Sequence, residues 1–396
     1  MDLYEKYRLT RIVNACGKVT KLAGAIVLPE VREVVHEAMG QFYDLEELQT
    51  RSGEVIAKAT GAEWGCVTAC SAAGIAMGVA ATMTGKSLGN IAQLPDTAGM
   101  KNEVVIQKGH TVNFGAPVTQ TVRLSGAQVI EVGTVDGTTE ALLHHAIGEH
   151  TAAVLFVVSH HTVQFGCVPL ARVVALAHER GVPVIVDGAA QSFLVKEIVA
   201  TGADLVICSG HKYLSGTTAG MVCGKRELVE AVNLQNKGIG RPMKVGKEGV
   251  FGVMAALEYR MKLDVGDWQA EQNRKMQIIL DGLVGIDGIG LRVDDDPNGN
   301  PFSRAHVDVD ERVVGLSAEV IASVVADDDP AIHLRDHHVD EGFFTVDAME
   351  LSDDEIVLVC TRLRDVLTAS EAEKANMMDT YGVGDVPRDV RLHWLR

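Results

Sequence analysis

The chain has 396 residues, 47% hydrophobic and 22% charged, which is enough apolar material for a substantial core and too much for a disordered chain. Its formal net charge is −17, with 53 acidic against 36 basic side chains. Nucleic acid repels such a chain unless a dense basic patch offsets the charge, and no Lys/Arg run here is that dense. No apolar run reaches the length of a membrane span, and the opening MDLYEKYRLTR lacks a signal-peptide core. The seven cysteines (16, 66, 70, 167, 208, 223, 360) are scattered. They read as the reduced, mostly buried thiols of a cytoplasmic protein, with no metal site.

The first 27 residues pass from a polar start into RIVNACGKVTKLAGAIVL, with turns at Asn14/Gly17 and at Gly24. Arg11, Lys18 and Lys21 make this segment locally basic. It reads either as an arm packed on the surface or as the wall of a site for an anionic substrate. A helix begins at Pro29, with Pro at its first turn and Val31, Val34, Val35, Ala38 and Met39 at helical spacing. A second helix covers 45–60 and stops at Gly61. A short strand then ends at Thr68, and Ser71, Ala72, Ala73 and Gly74 open a helix of small residues. Small side chains let helix N–H groups approach an anion, so this turn is a phosphate-cup candidate; the alternative is a tightly packed core helix.

Strands are predicted over 103–109, 128–132 and 152–158, with helices over 139–150 and 171–180. His110 follows the first of these strands, where an imidazole could stack on a cofactor ring, and Phe114 lies four positions on. His160 and His161 follow the third. On an extended segment, adjacent side chains point to opposite sides, so the two are not expected to share a metal. The repeated β–α order from about 60 to 225 indicates a mainly parallel sheet covered by helices on both faces. Neither G-x-G-x-x-G nor G-x-x-x-x-G-K-[ST] occurs, which removes the usual support for dinucleotide or nucleoside triphosphate binding.

Two short apolar runs, 182–186 and 204–208, then form buried strands joined by a helix over 194–201. The first ends in Asp187 and the second in Ser209-Gly210-His211-Lys212. Ligands of open α/β sheets sit outside the carboxyl ends of strands, so both residues face one crevice. A carboxylate at one strand end and a lysine at the next suits pyridoxal phosphate: the lysine forms the Schiff base, and the carboxylate keeps the pyridine nitrogen protonated. Ser209, three before the lysine, is placed to donate to a phosphate.

A helix over 226–235 precedes NKGIGRPMKVGKEG, where Lys237, Arg241, Lys244 and Lys247 stand among glycines as a mobile basic loop or an anion clamp. One long helical stretch is predicted over 248–283. From Gly290 the pattern becomes α+β: strands over 291–293, 305–309, 332–335 and 343–346, and helices over 317–325 and 352–367. Ser352 and Glu355 form a capping box in the second of these helices. Arg335, at a strand end, has the fork to hold a carboxylate. Positions 376–396 read as a tail or short docking helix.

The stretches RIVNACGKVTKLAG, SAAGIA, KGHTVNFGAPV, SHHTVQ, VDGAAQ, DLVICSGHK and GIGRPMKVGKEG together resemble fold-type I pyridoxal-phosphate enzymes. Within that group the chain is similar to the selenocysteine-synthase-like branch, above all to the D-glucosaminate-6-phosphate ammonia-lyase family. The resemblance implies an α/β fold with a large, mainly parallel seven-stranded-type sheet and a small C-terminal α+β domain. The expected layout is an N-terminal segment over 1–45, a cofactor-binding domain over 46–265 and a small domain over 266–396. It implies Lys212 as the Schiff-base lysine and Asp187 as the pyridinium partner. Ser71, Ala72, Ala73, Ser209 and Lys247 would hold the cofactor, with His110 or Phe114 near the ring. Arg335 would take the substrate carboxylate, and Lys18, Lys21, Arg241 or Lys244 a distal phosphate. His160, His161 or His211 would supply acid help.

The expected reaction is α,β-elimination from a 3-hydroxy amino acid, giving a 2-oxo acid and ammonia. Racemisation, transamination or a selenocysteine-synthase-like transfer would use the same residues. A cofactor-free protein on a retained fold is the reading from another class. The expected partners are a small-molecule amino-acid substrate and a second copy of the chain sharing the site, with neither nucleic acid nor membrane.

Overall fold

The computed structural model describes residues 2–382. Its strands are β1 (Ile12–Ala15), β2 (Trp64–Thr68), β3 (Glu103–Gln107), β4 (Gln128–Val132), β5 (Thr151–Val157), β6 (Val184–Asp187), β7 (Leu205–Ser209), β8 (Gly220–Gly224), β9 (Ile289–Asp295), β10 (Ser303–Val309), β11 (Ala331–Leu334) and β12 (Phe343–Val346). The described chain divides into two compact units. The larger comprises residues 23–263 with 297–300, and the smaller comprises, of the described residues, 2–22, 264–296 and 301–382.

The larger unit is built on a seven-stranded sheet in the order β2-β8-β7-β6-β5-β3-β4. Strands β3 to β7 pair in parallel, whereas β8 runs antiparallel to both β7 and β2. The central strands are apolar on both faces because helices cover both. Successive residues split between two cores, with Val184, Val186 and Val206 in one and Ile185, Leu205 and Ile207 in the other. The small-residue helix Ser71–Thr84 belongs to the second core through Ile75, Met77 and Val79. The helices Leu45–Thr60, Leu170–Glu179 and Lys247–Arg260 belong to the first. From β3 the chain moves outward to β4, then returns to the other side of β3 for β5. That reversal places the crevice at the carboxyl ends of β3 and β5.

The smaller unit holds the antiparallel sheet β12-β10-β9 and the parallel pair β1-β11. Its core joins Val307, Phe344, Ile321, Val359 and Leu363. Ser352 and Glu355 form the expected capping box. Asn14 closes its turn by accepting from the N–H groups of Cys16 and Gly17 at 3.1 Å.

Two helix expectations are corrected. The stretch 248–283 is two helices, Lys247–Arg260 and Val265–Leu283. The break has a local cause: Asp264 caps the second by accepting from Gly266 and Asp267 N–H at 2.8 and 3.1 Å. The helix predicted over 139–150 is Glu140–Ala146, because Thr151 already begins β5. Of the two readings of 376–396, a helix is the one present up to Tyr381: capped by Ser370, it spans Glu371–Tyr381, and 383–396 lie outside the described residues. Among the described residues no helix is long and apolar enough to cross a membrane.

Candidate active site

The register of the central strands sets the site. Asp187, the last residue of β6, stands between Val157 of β5 and Ile207 of β7. Its side chain is buried, and one carboxylate oxygen accepts the Ala189 N–H at 3.1 Å. Burial pushes its carboxyl above the usual range, against the opposing pull of the Lys212 charge and the Ala189 N–H. The two residues singled out by spacing therefore act on one another electrostatically.

Beyond β7 the chain makes a tight loop that carries Lys212. Ser209 ends the strand fully buried, with its hydroxyl oxygen 3.0 Å from His211 Nδ1. Burial, and then the Lys212 charge, lower the pKa of His211. Loop carbonyls are taken one after another: Gly210 O by Gly216 N–H at 2.8 Å, Lys212 O by Ser215 N–H at 2.9 Å, and Ser215 O by Leu28 N–H at 3.1 Å. Ser215 is held in the left-handed region at φ 55°. Gly24, at φ +85°, lies flat against His211, where any Cβ would collide with the imidazole and the His211 carbonyl.

The phosphate-cup candidate adjoins this loop. Gly220 pairs with Ser209 across β7 and β8, and a Cβ on Gly220 would strike the Cys70 carbonyl. Only glycine lets β8 pass so near the start of the helix Ser71–Thr84. Cys70 caps that helix, its sulfur accepting from Ala73 N–H at 3.4 Å. The Ser71 and Ala72 N–H groups are left without intrahelical acceptors at the positive end of the dipole. A buried carboxylate coupled to a lysine, with a helix N-terminus beside the same loop, fits pyridoxal phosphate.

His110 is buried at the end of β3. Its Nδ1 accepts from Val157 N–H at 3.1 Å, and its ring meets Phe156 edge-on at 4.4 Å. A neutral ring with Nδ1 as acceptor carries its proton on Nε2. Desolvation lowers its pKa to about 4. Phe114 lies partly exposed in the following loop. The opposed arrangement expected of His160 and His161 does not occur. They lie in a turn after β5, not on extended backbone, and their rings stand 3.8 Å apart.

The remaining candidates are distributed. Lys247 donates to the carbonyls of Met39, at 3.1 Å, and Gln41. Its ammonium therefore ties down the connection between two helices. Arg241 and Lys244 are exposed on the glycine-rich loop. In the smaller unit, Lys18 forms a buried ion pair with Glu350, and Lys21 lies 4.0 Å from Asp336. Arg335 pairs through its backbone with Thr345. The sequence reading missed Cys70 and Arg260, and marked Gly24 only as a turn. Cys70 carried a signal, since it immediately precedes the small-residue helix start; the other two act through contacts distant in sequence.

This fold and this strand-end constellation define a fold-type I, pyridoxal-phosphate-dependent enzyme. Residues 12–283 match the family described as SelA, L-seryl-tRNA selenium transferase, and the chain belongs to that family. It is 36% identical over 365 residues to the D-glucosaminate-6-phosphate ammonia lyase of Salmonella typhimurium, covering 92% of this chain and 98% of that protein. It is also 36% identical over 378 residues to a 5'-C-glycyluridine monooxygenase-decarboxylase of Streptomyces, covering 95% and 94%. The solved structure of a D-glucosaminate-6-phosphate ammonia-lyase superposes with a TM-score of 0.83 at 35% identity, covering 93% of this chain and 98% of that one.

Proposed function

We propose that the chain is an ammonia-lyase that eliminates across Cα and Cβ of a 2-amino-3-hydroxy acid carried on a sugar skeleton, with a distal phosphate as the preferred form. The observation that carries this reading is the end-to-end similarity to the ammonia lyase, combined with an Asp187 and Lys212 that act on each other. One relative is named for an amino sugar acid and the other for a glycyl group on a nucleoside, so both names join amino-acid and sugar chemistry, although their reactions differ. The similarities thus support the substrate class more evenly than the reaction.

Pyridoxal phosphate, when bound, withdraws electrons from Cα and so makes its proton removable. Lys212 would carry the cofactor and, once displaced by the substrate amine, take the Cα proton. Asp187 would face the ring nitrogen: a carboxylate without a full counter-charge in a buried site favours a cation beside it. The Ser71 and Ala72 N–H groups would receive the cofactor phosphate. His211, His160 or His161 would protonate the departing 3-hydroxyl. The water lost in elimination is regained when the enamine hydrolyses, so the net products are a 2-oxo acid and ammonia.

Arg335 would take the substrate carboxylate, and Arg241 or Lys244 the distal phosphate. A phosphate on Lys18 would have to displace Glu350. We also place the enzyme in the cytoplasm as at least a dimer. The exposure of Phe42, beside exposed Met39 and Tyr43, is consistent with a surface covered by a second copy. Light scattering tests this, and an active monomer would contradict it.

The deciding assay offers 2-amino-2-deoxy sugar acids, phosphorylated and not, and measures ammonia and 2-oxo acid. Equimolar release of both is the expected result. Oxygen uptake with carbon dioxide release would overturn the lyase assignment, and amino-group transfer to an added 2-oxo acid would do the same.

A further inference from the structure

Arg260, the last residue of the helix Lys247–Arg260, is a buried cation against the Lys212 loop that the mechanism does not use. One Nη donates to the carbonyl of Tyr213, the residue after Lys212. The guanidinium lies over the ring of Phe193, 3.7 Å from its centroid, and Phe193 stands six positions beyond Asp187. Its Nε and other Nη are buried with no hydrogen-bond partner among the described residues. Desolvation lowers its pKa to about 10. Burying a cation without a carboxylate is costly, so its place calls for a reason other than simple packing.

The loop supplies that reason. The strained Ser215 conformation persists only if its surroundings over-determine it. The Gly210, Lys212 and Ser215 carbonyls are all held by backbone N–H groups. The Tyr213 carbonyl instead takes a side chain, and that side chain is Arg260. The same guanidinium rests on the segment that follows Asp187, so it links the two strand ends that carry the chemistry.

We propose that Arg260 is a positioning residue that fixes the Lys212 turn relative to the segment following Asp187, through the Tyr213 carbonyl and the Phe193 ring. This rests on the assignment of Lys212 as the reactive lysine. Arg260 itself touches no reacting atom.

The test is hydrogen exchange on cofactor-free protein together with steady-state kinetics of the loaded enzyme, for Arg260→Met, Arg260→Lys and Phe193→Leu. Arg260→Met keeps an apolar stem over Phe193 and removes the donor. Its expected result is amide exchange in 210–217 faster by about tenfold or more, with exchange in the Ser71–Thr84 helix unchanged. Loss of one charged hydrogen bond predicts a fall in kcat of about 10- to 100-fold with KM within about twofold. Arg260→Lys, which keeps a donor, recovers part of both. Wild-type protection of 210–217 and wild-type kcat in a folded Arg260→Met would overturn the inference. Should Arg260→Met not fold, Phe193→Leu decides: accelerated exchange confined to 210–217 and 188–193 supports the link, and unchanged exchange there overturns it. Failure of the Lys212 assignment is read separately, as cofactor colour that survives Lys212→Ala.

Discussion

Two buried arginines show how the units differ. Arg304, in the smaller unit, lies between carboxylates, with Nε 3.1 Å from Asp347 and an Nη 3.7 Å from Asp296. His306 in the same unit is likewise bracketed, by Asp294 at 2.6 Å and Asp308 at 3.0 Å. Arg260, in the larger unit, has a carbonyl and an aromatic ring. Asp187 is buried with one backbone N–H. Where a buried charge is fully matched by its own chain, the simplest account is folding. Where it is matched only in part, the group has a use in the proposed site: Asp187 would meet the bound cofactor, and Arg260 would hold the Lys212 turn.

The comparison is broken most sharply at Asp187. Asp187→Asn should lower kcat/KM by on the order of 10³-fold, since a buried charge pair is lost when the cofactor is present. In the cofactor-free protein the same change should not destabilise. A carboxyl raised by burial binds more protons folded than unfolded, so stability falls as pH climbs from the ordinary carboxylate range through the raised value. Urea titrations of cofactor-free protein should show that fall in wild type and its absence in Asp187→Asn. Arg304→Met is the counterpart in the smaller unit. It leaves Asp347 buried without its cation and should cost about 3–5 kcal/mol, measured by urea unfolding.

His110 sharpens the contrast through pH. Its pKa falls from 6.5 to about 4 on folding, so the unfolded chain binds the extra proton between those values. Stability is therefore intact above pH 6.5 and lost as pH falls towards 4, by about 3 kcal/mol in full. His110→Asn should flatten that part of the stability curve. The smallest effect is expected at Gly24, where alanine meets both a positive φ and the His211 carbonyl. Gly24→Ala should cost about 1–3 kcal/mol, with a larger fractional loss of activity than of stability because the strain falls on the Lys212 loop.

Much of this was legible in the sequence because it is local. Short apolar runs ending in Asp187 and Ser209 become buried parallel strands, and Ser352 with Glu355 caps its helix as read. The strand ends are legible because a parallel sheet turns period and spacing directly into position. Long-range restraint was not legible. Nothing beside Arg260 in sequence announces Tyr213 or Phe193, and nothing beside Lys18 announces Glu350. The pairing of the His160 and His161 rings was misread because a turn was taken for extended chain. The break at Asp264 was missed because the helical pattern resumes within four residues, leaving only the capping aspartate as a sign.

The most direct measurement is the visible absorbance of the purified protein with pyridoxal phosphate, for wild type and Lys212→Ala, followed by the ammonia assay on sugar amino acids. The account predicts a yellow wild type that releases ammonia and 2-oxo acid, and a Lys212→Ala protein with neither the colour nor the turnover. A wild type that stays colourless with added cofactor, or a Lys212→Ala variant that keeps both properties, would contradict it.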